Sequence, residues 1–453
     1  MRRVVKVSRI RIIITIIVVV LTTLLTGCTG KEPNEIAYVV ALGIDSTDDD
    51  NYKITIQYAN TTQISGGASE SGGKAGSEIV DNVTIEAPNI YAGVGLANNI
   101  VSKSFSMSHA KLIVFSKEIA EKGVKDMIET LVRSEEIRPD VFIAVANTTA
   151  NDYLTSVNPE MEVNPAQYYQ LIYQKNQLVG IPDGQLREFF TGLYTDNYDS
   201  IFPVAGVIEG SGGNSQNDDK GQSKDSQNEG SEGSSESLDS FESKSSNENE
   251  KEKDAEKNTS KYEYDIKNYI GGETAIEKKN KAEAIGAAVF EKDKMVGELG
   301  EVETEICKML KGDYTYSYLT YYNNDTPDIP ITVKTTQQKK PKYKIDTDKK
   351  TVDIELYIES DLYSLPSDYN VENKIEDFER DVANYTSSAC TEFINNFTKK
   401  YNSDILKLNE KVKYKFLTNN QYNWFKKNVG WSKYKFSVCT NFKVRRTGLI
   451  VRE

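Results

Sequence analysis

Alternating apolar and polar positions from Glu35 predict a strand through Ile44, a turn over residues 45–51 and a second strand over Tyr52–Ala59, with Ile54, Ile56 and Tyr58 on one face. Residues 62–78 are Gly/Ser-rich with almost nothing to bury, and are expected to form a mobile loop. Pro88 suits the first turn of a helix in which Ile90, Val94, Ala97 and Val101 recur at helical spacing. Lys111–Phe115 reads as a buried strand, Glu118–Arg133 as one helix with Val124, Met127, Ile128 and Leu131 inward, and Val141–Ala146 as a further strand. Three helices are expected next: one after Asn147, one over Ala166–Gln177 and one over Gly184–Leu193. This alternation makes the fold class α/β (α+β), multi-domain, with mixed sheets and packed helices.

Between Gly210 and Ser260 the sizeable apolar side chains are Leu238 and Phe241, too few to offset the entropy of ordering, so the tract is expected to be disordered. The strand-like runs Phe202–Glu209 and Ala284–Glu291 flank it and are expected to pair with the tract looped out. Further on, Thr351–Glu359 alternates as a strand. Val371, Ile375, Phe378, Val382, Tyr385, Ala389, Phe393, Phe397 and Tyr401 form one apolar stripe of a long amphipathic helix, 371–401, expected to face a sheet of its own domain. Lys433–Val444 closes the chain as an alternating strand. The organisation is a leader 1–27, an N-terminal α/β domain 28–208 with the loop 62–78, an acidic, Ser-rich insertion 209–262, and a C-terminal α/β domain 263–453.

The leader carries five basic residues in its first eleven positions, followed by the apolar run Ile12–Leu25, long enough for a secretory signal and short of a bilayer span. Leu25-Thr26-Gly27-Cys28 then resembles the box read by bacterial lipoprotein processing, which leaves an acylated Cys28 as the new N-terminus. Two or three acyl chains suffice for stable attachment, so the folded part is expected outside, tethered at its start. With 453 residues, 38% of them hydrophobic, the chain can bury more than one core. Its net charge of −13, more negative once the leader is removed, repels phosphate backbones and makes nucleic acid a poor partner.

His109 is the one histidine, which excludes a two-histidine metal site and leaves Ser/His/Asp or Cys/His catalysis only if His109 is the base. A structural hydrogen bond at the mouth of a strand is the favoured reading of His109 over a proton relay. Cys307, Cys390 and Cys439 have no CxxC spacing, allow at most one disulfide and read as small buried residues; no metal or cofactor site is suggested. Asp45 with Asp48, Asp49 and Asp50 lacks the glycine and terminal glutamate of a calcium loop, so a solvated turn is the expectation. Arg445 and Arg446, adjacent on extended chain, point to opposite faces. One is expected to pair with a carboxylate, a partner-protein contact being the alternative.

Cys28 is followed by Asn34-Glu35-Ile36-Ala37 and Ala41-Leu42-Gly43-Ile44-Asp45, then by Phe105-Ser106-Met107-Ser108-His109-Ala110-Lys111 and Arg138-Pro139. Later come Ile285-Gly286-Ala287-Ala288-Val289-Phe290, Lys294-Met295-Val296-Gly297 and Val444-Arg445-Arg446-Thr447-Gly448-Leu449-Ile450. In this order the segments resemble the Ger(x)C family, lipoprotein C subunits of nutrient germinant receptors in spore-forming bacteria. Two departures are the long tract 210–260 and Thr29-Gly30-Lys31, where an aromatic-acidic-basic run is common.

The resemblance implies three α/β subdomains in a non-enzymatic, lipid-anchored subunit on the extracytoplasmic face of the spore inner membrane, assembled with polytopic A and B subunits. It makes Cys28 the lipidation site, and Asp45, His109, Lys111, Arg138, Arg445, Arg446 and Gly448 partner-binding or structural candidates. A different class of function is a solute-binding lipoprotein of an ABC transporter, which requires two lobes of similar doubly wound topology. An extracellular hydrolase is weakened by the solitary histidine.

Overall fold

The computed structural model describes residues 13–17, 35–49, 51–59, 80–159, 162, 164–174, 180–195, 198–208, 268–274, 280–323, 326–364 and 374–447. The leader and Cys28, the loop 62–78, the tract 209–262 and Gly448 lie outside the described residues.

Nine strands form the larger sheet: β1 (Ile36–Ser46), β2 (Tyr52–Ala59), β3 (Val80–Ala87), β4 (Ser104–Ser106), β5 (Leu112–Ser116), β6 (Phe142–Ala146), β7 (Ile201–Val207), β8 (Ala282–Glu291) and β9 (Lys294–Leu299). Their order is β3-β2-β1-β5-β6-β7-β8-β9, with β4 alongside the start of β1. The inner strands β1, β5, β6 and β7 run parallel, and an antiparallel pair closes each side. β5 and β6 bury every residue because helices cover both faces, which is why LIVFS and FIAVA read as unbroken apolar runs. The two runs flanking the polar tract do pair, Ile201 opposite Val289 through Val207 opposite Ala282.

One face of this sheet packs α1 (Ile90–Ile100), α2 (Lys117–Lys122), α3 (Lys125–Val132) and α6 (Leu186–Thr195) around Ile54, Ile113, Phe115, Ile128, Phe189 and Phe290. The other packs α4 (Ala150–Ser156) and α5 (Pro165–Gln174) through Tyr153, Leu154 and Tyr169.

The second sheet is β10 (Tyr316–Asn323), β11 (Thr326–Asp346), β12 (Thr351–Ser364) and β13 (Lys435–Arg446), in that order, with β12 and β13 parallel. Its core holds α7 (Glu301–Lys311), α8 (Ile375–Tyr401), α9 (Leu408–Val412) and α10 (Asn419–Asn428). Ile201, Ala287, Val289 and Leu299 of the larger sheet belong to the same cluster, so the two sheets share one apolar layer. A nine-stranded and a four-stranded sheet of different connectivity are not two doubly wound lobes of similar topology.

Three expectations need correction. The helix over Glu118–Arg133 is two helices, broken where Gly123 takes φ +123° and the amide of Val124 donates to Asp293 O at 3.0 Å. Asp45 is not in the solvated turn: β1 continues to Ser46 and Asp45 is 5% exposed. Cys439 is exposed on β13, unlike the buried Cys307 and Cys390, and all three thiols are free.

Candidate functional site

The segment Ala41–Asp45 owes its composition to α4, which lies against β1. A Cβ at Gly43 would meet Leu154 Cδ1 at 3.0 Å and Ala150 Cβ at 3.1 Å, so glycine lets the helix approach. Two residues on, Asp45 accepts hydrogen bonds from the amides of Ala150 at 2.6 Å and Asn151 at 3.0 Å, while Thr149 caps the same helix through Asp152 N. Burial raises the Asp45 carboxyl above its ordinary value, against the pull of those two amides and of Lys53. Asp45 is a helix anchor.

His109, Lys111 and Arg138 gather at the opposite end, where β1, β5 and β6 begin. The exposed His109 ring stands edge-on to Tyr38, centroids 5.0 Å apart. The backbone of Lys111 joins both neighbours, its N–H donating to Val40 O and its carbonyl accepting from Phe142 N, each at 2.9 Å. Exposed Arg138 lies 3.4 Å from Asp140. On the other sheet Arg445 reaches Glu359 at 3.9 Å, and exposed Arg446 stands opposite Asp361 in the register. The candidates therefore occupy separate places and form no single constellation.

A charged cleft that the sequence reading missed joins the two halves of the chain. It encloses about 320 Å³ and is lined on one side by Tyr173, Ile181, Asp183 and Glu188, on the other by Lys308, Lys311 and Asp313. Lys308, buried on α7, donates from Nζ to Ile181 O at 2.9 Å, and burial pushes its ammonium down to about 8. Lys311 lies 3.6 Å from Asp313, and burial raises the carboxyls of Asp183 and Glu188. Nearby, Glu305 accepts from Tyr314 Oη at 3.2 Å and is pushed up to about 7 by burial. The signal was Lys308 inside the apolar run Cys307-Lys308-Met309-Leu310, a charge on an inward helix face. Carbonyl and counter-ions of opposite segments engage these groups, an arrangement that holds the halves in register. Among the described residues no group of three His, Cys, Asp or Glu is placed to hold a metal ion.

Two family models match the chain in succession. One, described as the spore germination protein N-terminal domain, covers residues 30–207; the other, spore germination B3/GerAC like, C-terminal, covers residues 285–448. The chain belongs to the Ger(x)C family. The boundary between the matches falls in the β7–β8 connection, so each Ger(x)C half contributes one strand of that pair.

Curated relatives come from Bacillus subtilis (strain 168). Spore germination protein KC is 26% identical over 174 residues, 35% of this chain and 42% of the relative. The putative spore germination protein YfkR is 28% identical over 145 residues, 32% and 37% of the two chains, and spore germination protein B3 is 26% identical over 148 residues, 30% and 36%. The chain thus spans less than half the length of these relatives. A crystal structure of the GerBC protein superposes with a TM-score of 0.48 at 14% identity, covering 89% of this chain and 96% of that one.

Proposed function

We propose that this Ger(x)C protein is the lipid-anchored, non-catalytic C subunit of a nutrient germinant receptor, acting in spore germination through assembly with polytopic A and B subunits. In this reading acylated Cys28 fastens the ectodomain to the extracytoplasmic face of the spore inner membrane, residues 28–208 and 263–453 are its germination-protein domains, and residues 209–262 are an insertion. The observation that carries it is the succession of both germination domains on one chain. Among the described residues no helix is long and apolar enough to cross a membrane.

Pull-down from detergent-solubilised spore membranes is expected to recover polytopic germination subunits; recovery of an ABC permease instead overturns the assignment. Cys28→Ala is expected to yield unprocessed precursor or to leave the protein in the membrane-free fraction. Normal size with unchanged membrane attachment would remove the lipid anchor from this account.

A further inference from the structure

Within an acidic chain, the stretch around α9 and α10 carries a basic surface with exposed apolar tips. From Ile405 to Ser437 the sequence has eight lysines against one carboxylate, Glu410. Three of the four most exposed large apolar side chains of the described residues fall within the same stretch: Leu417 at 94%, Tyr414 at 81% and Trp424 at 65%.

Local structure explains why Leu417 and Trp424 point outward. Leu417 directly precedes Thr418, the N-cap of α10, a position whose side chain ordinarily folds onto the fourth helical residue. That residue, Tyr422, is covered by Phe416 instead, ring centroids 5.9 Å apart. On α10 Tyr422 and Phe425 face the core, while Trp424 and Lys427, three apart, share the outward face. Lys413 and Lys426 hold their ammonium groups 5.8 and 5.1 Å from the centroid of the Tyr422 ring. Lys411 and Lys415 are spent on the carbonyls of Leu406 and Ile345, so they add little to the outward field.

Beside Trp424, a cleft of about 410 Å³ is lined by Asn423, Lys426 and Lys427 on α10 and by Lys292, Asn409 and Asp199. Asp199, its one acid, already accepts from the amides of Asp404 at 2.8 Å and Lys292 at 3.4 Å. The cleft is therefore basic and amide-lined, a chemistry suited to phosphate oxygens.

We propose that the surface carried by residues 413–427 docks on an anionic phospholipid surface, with Tyr414, Leu417 and Trp424 in the interfacial layer and Lys413, Lys426 and Lys427 among the headgroup phosphates. Indole and phenol rings favour the headgroup level, and lysines beside them add attraction to anionic lipid. Complementarity decides the occupant: exposed Lys413 and Lys427 stand in one stretch with exposed Tyr414, Leu417 and Trp424, and Glu410 is the one carboxylate there. The contact goes beyond the Cys28 anchor, because a tether at the N-terminus leaves the ectodomain free to rotate, whereas a second contact fixes the face it presents.

The full chain, reconstituted in vesicles of phosphatidylcholine or of an equimolar phosphatidylcholine–phosphatidylglycerol mixture, tests this through its own fluorescence. Trp431 is buried and supplies a constant background, so the change belongs to Trp424. In the anionic vesicles Trp424 emission is expected to shift blue and to be quenched by brominated phosphatidylcholine. Each of Lys413→Gln, Lys426→Gln and Lys427→Gln is expected to lower the docked-to-free ratio about fivefold, and added salt to lower it further. Trp424→Phe removes the response while leaving the Trp431 signal.

Equal quenching of Trp424 by aqueous acrylamide in both vesicle types overturns the proposal. So does a Trp424 already shielded without lipid and uncovered by deleting residues 210–260, which would assign the surface to the acidic tract, or shielding only when another protein is added. Co-flotation with pure phosphatidylcholine reads the Cys28 anchor separately, so failure of the anchor and failure of this contact are distinguishable.

Discussion

Asn395 pairs with the backbone of Phe436 as a neighbouring strand would: its Nδ2 donates to Phe436 O at 2.9 Å and its Oδ1 accepts from Phe436 N at 3.1 Å. One turn earlier on α8, Thr391 Oγ1 accepts from Val438 N at 3.0 Å; then Ser387 Oγ accepts from Thr440 N at 2.9 Å and Glu379 Oε1 from Val444 N at 2.8 Å. Four residues of helix rise about 6 Å and two residues of strand about 6.6 Å, so the two periods stay in step over this length. The polar face of α8 thereby satisfies the edge of β13 that no strand among the described residues covers, and blocks edge-to-edge pairing there with another chain. Thr391→Val keeps the shape and orphans Val438 N–H; it is expected to cost about 1–2 kcal/mol in urea denaturation. Asn395→Leu, which orphans two groups, is expected to cost more and to raise the concentration dependence of aggregation. An unchanged midpoint in both chains would show that water serves this edge equally well.

Asp199 and Asp404 bind each other's backbone across the two halves, Asp404 N donating to Asp199 Oδ2 at 2.8 Å and Asp199 N to Asp404 O at 3.2 Å. Asp404 also caps α9 through Leu408 N at 2.7 Å and Asn409 N at 2.8 Å. Burial, joined by the charge of Asp199, pushes its carboxyl from an ordinary 3.8 up to about 7. Between these values the folded chain keeps a proton that the unfolded chain has released, so this group makes stability fall as pH rises from about 4 to about 7. Glu305, pushed from 4.5 up to about 7, acts in the same direction. Glu305→Gln, neutral throughout, is expected to flatten the thermal midpoint against pH over that window. Parallel curves for the two chains would show that Glu305 titrates normally.

What the sequence disclosed depended on whether the deciding contacts were local. The apolar runs of β1, β7 and β8 and the stripe of α8 are set by residues close in sequence, and these elements were legible, although β1 does not alternate as expected: it is buried on both faces from Val39 to Asp45. β11 was not: TPDIPITVKTTQQKKPKYKID is polar and contains Pro341, and it becomes a strand because β10 and β12 pair with it on either side. Register shifts between Gln337 and Lys339 and between Lys339 and Lys342 break its regular pairing with β12 where Pro341 falls. Asp45 stood out in the sequence, but its role did not, because the amides it binds lie 105 and 106 residues away. The charged cleft needed residues from both halves, and of these Lys308 alone announced itself.

The cysteines offer a check on packing. Burial pushes the thiols of Cys307 and Cys390 up to about 12, leaving almost no thiolate at neutral pH, whereas Cys439 stands exposed on β13. If Cys28 is acylated as proposed, the native chain is expected to show one rapidly reacting thiol toward an aromatic disulfide reagent and all three after denaturation. Cys439→Ser should abolish the rapid phase. A rapid phase surviving that substitution would place Cys307 or Cys390 within reach of solvent.

The connection between β7 and β8 bears on how much of this chain the fold requires. The strands meet at Val207 and Ala282, and the next amide outward, Ile208 N, donates to Lys281 O at 2.9 Å. The backbone therefore leaves the larger sheet and returns to it at one point, and register is set by the ladder inside that point. Deleting residues 210–260 shortens the connection from roughly seventy residues to roughly twenty, which by loop-closure entropy favours the folded state by about 1 kcal/mol. The deleted chain is expected to melt as steeply as the full one, at an equal or slightly higher midpoint. A lower midpoint with a broadened transition would mean that the tract contributes contacts of its own, because removing closure entropy alone cannot destabilise a sheet whose two strands are already side by side.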